Sequence, residues 1–393
     1  MKEQIQEFLK KECPDVAFDV AYPPNGFGDY STNIAFLIAK SQNIDISVAA
    51  KEVIEKLKDK LSREFEKIEL AKNGFINFYL GKEWLQNNLS GILKFQNIGQ
   101  GKTVIIEYSQ PNIAKLMHVG HLRSTVLGDA LANIYESLGY KVVRWNYLGD
   151  WGTQFGKLIA AYKMWGSEDE IKKNPLEILD ALYVRFHEEL KTRPELEDAG
   201  REEFKKLEQG DKENKKLWKW FREESLKEFK KVYETLGVRF DTYDGESFFA
   251  EDTKPLIEEL KEKGIARESE GALTIDLEKF NLPPALIQRS DGASLYLTRD
   301  IAALKYRQKE YKPEKILYVV GNEQTLHFEQ LKAIAEKLDI SKYRNVLAHV
   351  KFGLILGEDK KKLSSREGKA VPMTELLNKT VELSGKPVGL GAL

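Results

Sequence analysis

The feature that most constrains this chain is a short apolar run, TVIIEY at residues 103–108, together with the segment after it. The run leads through PNIAKLMHVGH (111–121) into a helix-like stretch marked by Leu122, Val126, Ala130, Ile134 and Leu138. The stretch closes at Gly139 and gives way to a second apolar run, YKVVRWNYL (140–148). Strands this short and apolar, joined through a helix, belong to a parallel sheet covered on both faces. In such sheets ligands bind beyond the carboxyl ends of the strands, where the 111–121 loop lies. The expected fold class is therefore α/β, with a doubly wound parallel sheet of Rossmann type.

The rest of the chain arranges itself around this unit. Residues 1–82 read as a small α+β domain. MKEQIQEFLKKE is a helix, GFGDYSTNIAFLIAK runs from turn glycines through a Ser31 or Thr32 cap into a second, and SVAAKEVIEKLKDKL is a third. IELAKNGFINFYL gives two strand-like pieces around Asn73-Gly74, and 81–100 reads as a connector. The sheet domain is expected over 83–356, interrupted by a Lys- and Glu-rich helical insertion over about 165–250. The sheet resumes with ALTIDL, ILYVVG and AHVKFG, separated by helices. Residues 357–393 hold the polar, basic KKLSSREGKAV and a Gly-rich end.

Composition narrows the partners. At 393 residues, two or three domains are expected. Charged residues make up 31% yet nearly cancel, to a net −1, which argues against a uniformly basic nucleic-acid coat and leaves room for a local patch. Cys13 is the only cysteine, so no internal disulfide forms, as suits a reducing cytosol. No apolar stretch approaches the ~20 residues that cross a bilayer. The expectation is a soluble, cytoplasmic protein.

Two of the five histidines flank Val119-Gly120. They suit a polar pair capping a helix, a metal pair, or a nucleotide site. Zn2+ wants three or four ligands, and no cysteine or third histidine lies nearby in sequence. A glycine lets a purine lie on the backbone, and a helix N-terminus offers N–H groups to phosphate. From the residues alone these readings stay open.

The wider text carries a resemblance. HVGH, with KLSSR far downstream, resembles the two signature sequences of class I aminoacyl-tRNA synthetases. EYSQPNIAKLMHVGHLRSTVLGD, GDWGTQFG (149–156), YLTRDIA (296–302), FKKLEQGD and LGVRFDTYDGES together resemble arginyl-tRNA synthetase. GFGDYSTNIAFLIAK and GFINFYL resemble that family's added N-terminal domain, so the likeness runs along nearly the whole chain. It implies the class I nucleotide-binding (HUP) fold and an arginine–tRNA ligase. Such an enzyme activates L-arginine with ATP and Mg2+ to arginyl-adenylate and transfers it to tRNA(Arg).

The resemblance also implies roles. His118, His121, Lys115 and Lys362 would be catalytic. His118, Gly120, His121, His327, Lys362 and Ser364 would meet ATP. Glu107, Tyr296 and Asp300 would hold the guanidinium, with Asn112 and Gln324 on the α-amino and carboxylate end. Asp29, Tyr30 and Asn33 would touch tRNA. The signature's second lysine is absent, Ser365 standing in its place, and Lys115 is expected to compensate. A planar, permanently charged guanidinium needs carboxylates at matching angles, which favours arginine over an acidic substrate. No structural metal is expected, and a monomer is. The family continues into an all-helical anticodon-binding domain, whereas only residues 367–393 come after the second signature here; the expectation is a truncated chain. The alternative is a non-catalytic or truncated tRNA-binding paralogue, and a small-molecule nucleotidyltransferase is the more distant one.

Overall fold

The computed structural model describes residues 1–61, 63–89, 91, 97–290, 292, 295–338, 346–353 and 372–384. These fall into two compact units, one within Met1–Phe95 and one within Gln96–Leu393.

The first unit holds α1 (Lys2–Glu12), β1 (Val20–Ala21), β2 (Tyr30–Thr32), α2 (Ile34–Gln42), α3 (Ile46–Leu61), β3 (Phe65–Leu70), β4 (Ile76–Leu80) and α4 (Lys82–Leu89). Its antiparallel sheet has the order β1-β2-β4-β3. The helices bury their apolar stripes on it: Ile5 and Leu9 from α1, Ile34 and Ile38 from α2, Val53 and Leu57 from α3, against Ile68, Ile76 and Phe78. The β3–β4 hairpin turns at Asn73-Gly74, where Gly74 has φ +86°. Two expectations need correction. The 81–100 connector contains α4, whose amphipathic sequence forms a helix although it buries no residue. Helix α2 is not capped by Ser31: its N-cap residue is Asn33 without a side-chain cap bond, and Thr32 Oγ1 meets the Ile34 N–H at 3.4 Å. The Ser31 hydroxyl instead donates to Asn77 Oδ1 at 2.8 Å.

The second unit opens with β5 (Thr103–Glu107), α5 (Val119–Ser137) and β6 (Lys141–Trp145). A helical layer comes next: α6 (Thr153–Trp165), α7 (Glu168–Lys173), α8 (Pro175–Glu189), α9 (Leu196–Glu208) and α10 (Lys212–Leu236). Then come α11 (Thr253–Glu262), β7 (Ala266–Ser269), β8 (Ala272–Ile275), β9 (Ala285–Gln288), α12 (Tyr296–Tyr311), β10 (Lys315–Gly321), α13 (Thr325–Lys337), β11 (Leu347–Phe352) and α14 (Met373–Ser384).

The central sheet is parallel throughout, in the order β11-β10-β5-β6. The two-residue side-chain period sends Val104 and Ile106 to one face with Ala132 of α5, and Ile105 to the other with Ile301 and Leu304 of α12 and Ile334 of α13. The run ALTIDL is not part of this sheet. As β8 it lies in a separate antiparallel sheet, β7-β8-β9. It pairs back on β7 through Glu270 and Gly271, both at positive φ, which is a hairpin rather than a crossover. Along α5 the inward face is Leu122, Thr125, Gly128 and Ala132, while Ile134 is 53% exposed. Steps of four residues drift about 40° each around a helix of 3.6 residues per turn, so a run of such steps leaves the buried face.

Helices α6 to α10 enclose a core of their own, built on Phe155, Leu158, Leu179, Phe186, Leu207, Phe221 and Phe229. Asp211 caps α10 through the Asn214 N–H at 2.9 Å, and Gly237 ends it at φ +70°. Met373 at the start of α14 is buried in the same core and donates its N–H to Met117 O at 2.8 Å.

Candidate active site

The candidate site comprises two groups of side chains, one at the start of α5 and one drawn from the end of β5, the segment after β6, the 3-10 turn Glu246–Phe249, α12 and α13. The first is the start of α5. His118 is its N-cap, and its Nδ1 accepts the Gly120 N–H at 3.1 Å. His121, at N3, returns the bond: its Nδ1 accepts the His118 N–H at 3.1 Å. This is a capping box made of two imidazoles, with ring centroids 3.9 Å apart. It explains the spacing, because N-cap and N3 are the two positions that can satisfy the free N–H groups reciprocally. It also fixes the protons. With both Nδ1 atoms accepting, the neutral rings carry hydrogen on Nε2, and those donors are left for a ligand. Burial, and secondly the charge of Lys115, lowers the basicity of His118. Burial, and secondly His118, lowers that of His121 to about 3. Both are therefore uncharged at neutral pH. A Cβ on Gly120 would stand 2.9 Å from Cε1 of the His118 ring, so a side chain there would displace the cap.

The segment feeding this helix is strained: Ser109, Gln110 and Ala114 have φ of +74°, +52° and +62°. Asn112 is exposed and bridges to Gly149, where an added Cβ would stand 2.0 Å from Asn112 Oδ1. Lys115 places Nζ 4.7 Å from the centre of the Tyr183 ring on α8.

The second group is acidic, and each carboxylate has a basic side chain from this chain beside it. Glu107, at the end of β5, is buried and binds the guanidinium of Arg307 as well as Gln110 Nε2 at 2.6 Å. Arg307 itself lies 4.4 Å over the Trp145 ring and donates to the Tyr318 hydroxyl at 3.2 Å. Burial raises the Glu107 carboxyl, Arg307 opposes that, and the charge of Asp300 adds to it. Asp300, on α12, holds His327 Nε2 at 2.6 Å. Burial disfavours the charged imidazole, but the bond to Asp300 and the charges of Asp300 and Glu107 outweigh it and raise His327. Glu246, 6% exposed, stands 3.6 Å from Arg299. Burial pushes its carboxyl up to about 8 against the pull of Arg299. Among the described residues, Glu246 Oε2 and the Tyr147 hydroxyl are buried without a hydrogen-bond partner. The charges of Asp300, Glu246 and Glu107 are all felt at Tyr147, which marks one cluster. Tyr296 stays 58% exposed at the head of α12, within range of Glu246.

Among the residues expected from sequence, Glu107, Asp300 and His327 thus come together, with Tyr296 near Glu246. Lys115, Gly120 and the two histidines form the other group. Glu107 is buried at the end of β5 against Arg307, and His327 sits on Asp300. Gln324 lies exposed in the 3-10 turn Asn322–Gln324 after β10. Lys362 and Ser364 lie outside the described residues. In the other unit, Asp29 Oδ2 accepts the Leu80 N–H at 2.7 Å, and Asn33 Oδ1 accepts the Asp19 N–H at 3.0 Å. Tyr30 packs its ring 5.4 Å from Tyr22.

Sequence reasoning missed Glu246, Tyr147, Arg307 and Asp150. Asp150 is fully buried and binds Arg222 Nε at 2.8 Å, the Ser247 N–H at 2.8 Å and the Ser247 hydroxyl at 2.8 Å. It joins the GDWG turn to α10 and to the segment that carries Glu246. The acidic residues inside GDWG and YDGES were the available signal.

A parallel sheet that delivers its first strand into a histidine-capped helix is the arrangement of a class I aminoacyl-tRNA synthetase catalytic domain. Residues 85–388 match the family described as tRNA synthetases class I (R), catalytic domain, and residues 1–80 match the arginyl tRNA synthetase N terminal domain. The chain belongs to the arginyl-tRNA synthetase family. The arginine–tRNA ligase of Enterococcus faecalis is 45% identical over 98% of this chain and 67% of its own length. That of Ligilactobacillus salivarius is 47% identical over 92% of this chain and 64% of its own. The chain therefore spans about two thirds of the length of these relatives. A crystal structure of arginyl-tRNA synthetase from Plasmodium falciparum superposes with a TM-score of 0.76 at 29% identity, covering 98% of this chain and 68% of that one. The Thermus thermophilus enzyme has the same fold, with a TM-score of 0.76 at 23% identity over 100% of this chain and 73% of its own.

Proposed function

We propose that this chain activates L-arginine with ATP to arginyl-adenylate and passes the arginyl group to tRNA(Arg). The observation that carries the reading is the cluster of Glu107, Glu246 and Asp300 around the Tyr147 hydroxyl, next to the exposed Tyr296. Buried carboxylates with an unmet acceptor atom suit a fork of guanidinium donors. In the first step a carboxylate oxygen of arginine attacks the α-phosphorus, and the bond to the β-phosphate oxygen breaks. Pyrophosphate leaves with the electron pair. No proton has to move, so neutral histidines suffice as Nε2–H donors to the phosphates, helped by the α5 N-terminus, Lys115 and Lys362. Mg2+ enters as the counter-ion of the nucleotide. In the second step a hydroxyl of the terminal tRNA ribose attacks the adenylate carbonyl, the bond from that carbon to the phosphate oxygen breaks, and AMP departs with the electron pair while one of its phosphate oxygens takes the hydroxyl proton.

Within this reading, Asp300, Tyr296 and Glu107 face the guanidinium side, joined by Glu246. Asn112 and Gln324 take the α-amino and carboxylate end, and contact with the adenosine and phosphates is assigned to Gly120, His327 and Ser364. Residues 1–82 form the tRNA-contacting domain through Asp29, Tyr30 and Asn33, residues 83–356 the catalytic domain, and 357–393 the second-signature region. We place the protein in the cytoplasm as a monomer; among the described residues no helix is long and apolar enough to cross a membrane. The deciding assay is arginine-dependent ATP–pyrophosphate exchange, with and without arginine tRNA. Exchange with arginine and no other amino acid supports the reading. Exchange driven by a different amino acid overturns it.

A further inference from the structure

We infer that Ser225 and Tyr233, on the long helix α10, are positioning residues for the activation reaction: their hydroxyls hold the strained segment 109–115 that carries Asn112 and Lys115. The inference rests on the activation reading above. Three residues other than glycine within six positions adopt positive φ, at Ser109, Gln110 and Ala114. L-residues disfavour that region, so such a segment persists only where its surroundings over-determine it. The fastenings are specific and buried. The Ala114 N–H donates to Ser225 Oγ at 2.8 Å, and the same hydroxyl donates to Phe221 O at 2.7 Å, so it both accepts and donates. Ser109 Oγ meets the Tyr233 hydroxyl at 2.7 Å. Asn146 links the two ends of the pattern, taking the Gln110 N–H at 3.2 Å and donating to the Tyr233 hydroxyl at 2.9 Å. On the sheet side the Ser109 N–H goes to Ser124 Oγ at 3.1 Å. Ser225, Tyr233, Ser109 and Asn146 are all buried.

Two of these fastenings come from α10, in the helical layer, rather than from the sheet. Ser225 and Tyr233 are eight residues apart, a little over two helical turns, so they share one face and grip the segment near its two ends. Asn112 and Lys115 lie between and just beyond the grips. Removing the Ser225 hydroxyl leaves the Ala114 N–H without that acceptor; removing the Tyr233 hydroxyl takes the acceptor of Asn146 Nδ2 and one of the two partners of Ser109 Oγ, which keeps Thr125 Oγ1 at 2.9 Å, and either loss lets the segment relax toward negative φ. Reacting groups displaced by about 1 Å lose on the order of 100-fold in rate.

The test uses the full chain with Ser225→Ala, Tyr233→Phe and the double variant Ser225→Ala/Ala114→Gly. Two readouts are taken: arginine-dependent exchange in the presence of arginine tRNA, and amide hydrogen exchange of residues 109–115. By that displacement argument the single variants are expected to lose roughly 10- to 100-fold in kcat, with a thermal midpoint near that of the parent. They should also speed amide exchange at 109–115 while α10 itself stays protected. Glycine takes φ +62° without a Cβ cost, so Ala114→Gly should recover most of the Ser225→Ala loss; a merely structural role predicts no such recovery. A kcat within twofold of the parent, or unchanged protection of 109–115, overturns the inference. If the parent shows no exchange at all, the activation reading fails, and the protection readout alone decides whether these hydroxyls hold the segment.

Discussion

The two ends of the site solve opposite electrostatic problems. At the head of α5 the working groups are uncharged. His118 and His121 cap one another and the helix, and burial keeps both neutral. They need no counter-ion before a ligand arrives. At the acidic cluster Glu107 and Asp300 sit against basic side chains of the chain itself, Arg307 and His327, while burial keeps Glu246 largely protonated at neutral pH although Arg299 stands 3.6 Å away. Phosphate is met by fixed dipoles that cost no reorganisation, whereas a guanidinium must enter a set of existing ion pairs. Preorganisation at one end and exchange of partners at the other are therefore separable by mutation.

The largest effect is expected at the uncharged end. His118→Asn keeps a side chain that caps a helix well but removes the Nε2 donor. Exchange kcat should fall on the order of 100- to 1000-fold, with the thermal midpoint nearly unchanged. If the midpoint falls and kcat does not, the histidine serves the fold alone, and the contrast between the two ends disappears.

Next comes Asp300→Asn. Truncating one side of a desolvated charge pair costs at least about 2 kcal/mol, so the KM for arginine should rise roughly 30-fold while kcat changes less. An unchanged KM would remove Asp300 from the guanidinium side. The same pair gives a pH dependence. His327 is raised above its ordinary value, so at low pH the imidazolium holds Asp300. Arginine must then displace a cation and release its proton. The KM for arginine should fall as pH rises through the raised value, by up to about tenfold per unit. His327→Asn should flatten that slope, and a slope that survives the substitution would assign it to another group.

Legibility in the sequence divides along the same line. The histidine cap is local: four residues contain N-cap, glycine and N3, and the flanking strands announce themselves by apolar runs. The acid–base pairs are not local. Glu107 and Arg307 are 200 positions apart, and nothing near either names the other. Arg307 looks like one more basic residue in RDIAALKYRQKEY, yet it is fully buried against Trp145. Asp300 and His327 are 27 positions apart, and a sequence shows no distance between α12 and α13. ALTIDL failed for a related reason: a four-residue apolar strand has the same composition in a hairpin as in a parallel sheet.

The smallest effect is expected far from either end, in the N-terminal unit. Asp29 is exposed yet accepts the Leu80 N–H on β4, while its own N–H donates to Phe78 O at 2.7 Å, so it tethers a loop to β4, an inner strand of the sheet. Asp29→Ala deletes one side-chain hydrogen bond, worth about 1 kcal/mol. Its KM for arginine and for ATP should match the parent, because the groups assigned to those ligands all lie in the other unit. Asp29→Asn keeps an acceptor oxygen and should restore the stability. If both variants raise the KM for tRNA equally, the carboxylate charge itself is what tRNA binding uses. If only the alanine variant does, Asp29 acts through the loop it holds, and the tRNA contact belongs to neighbours such as Tyr30.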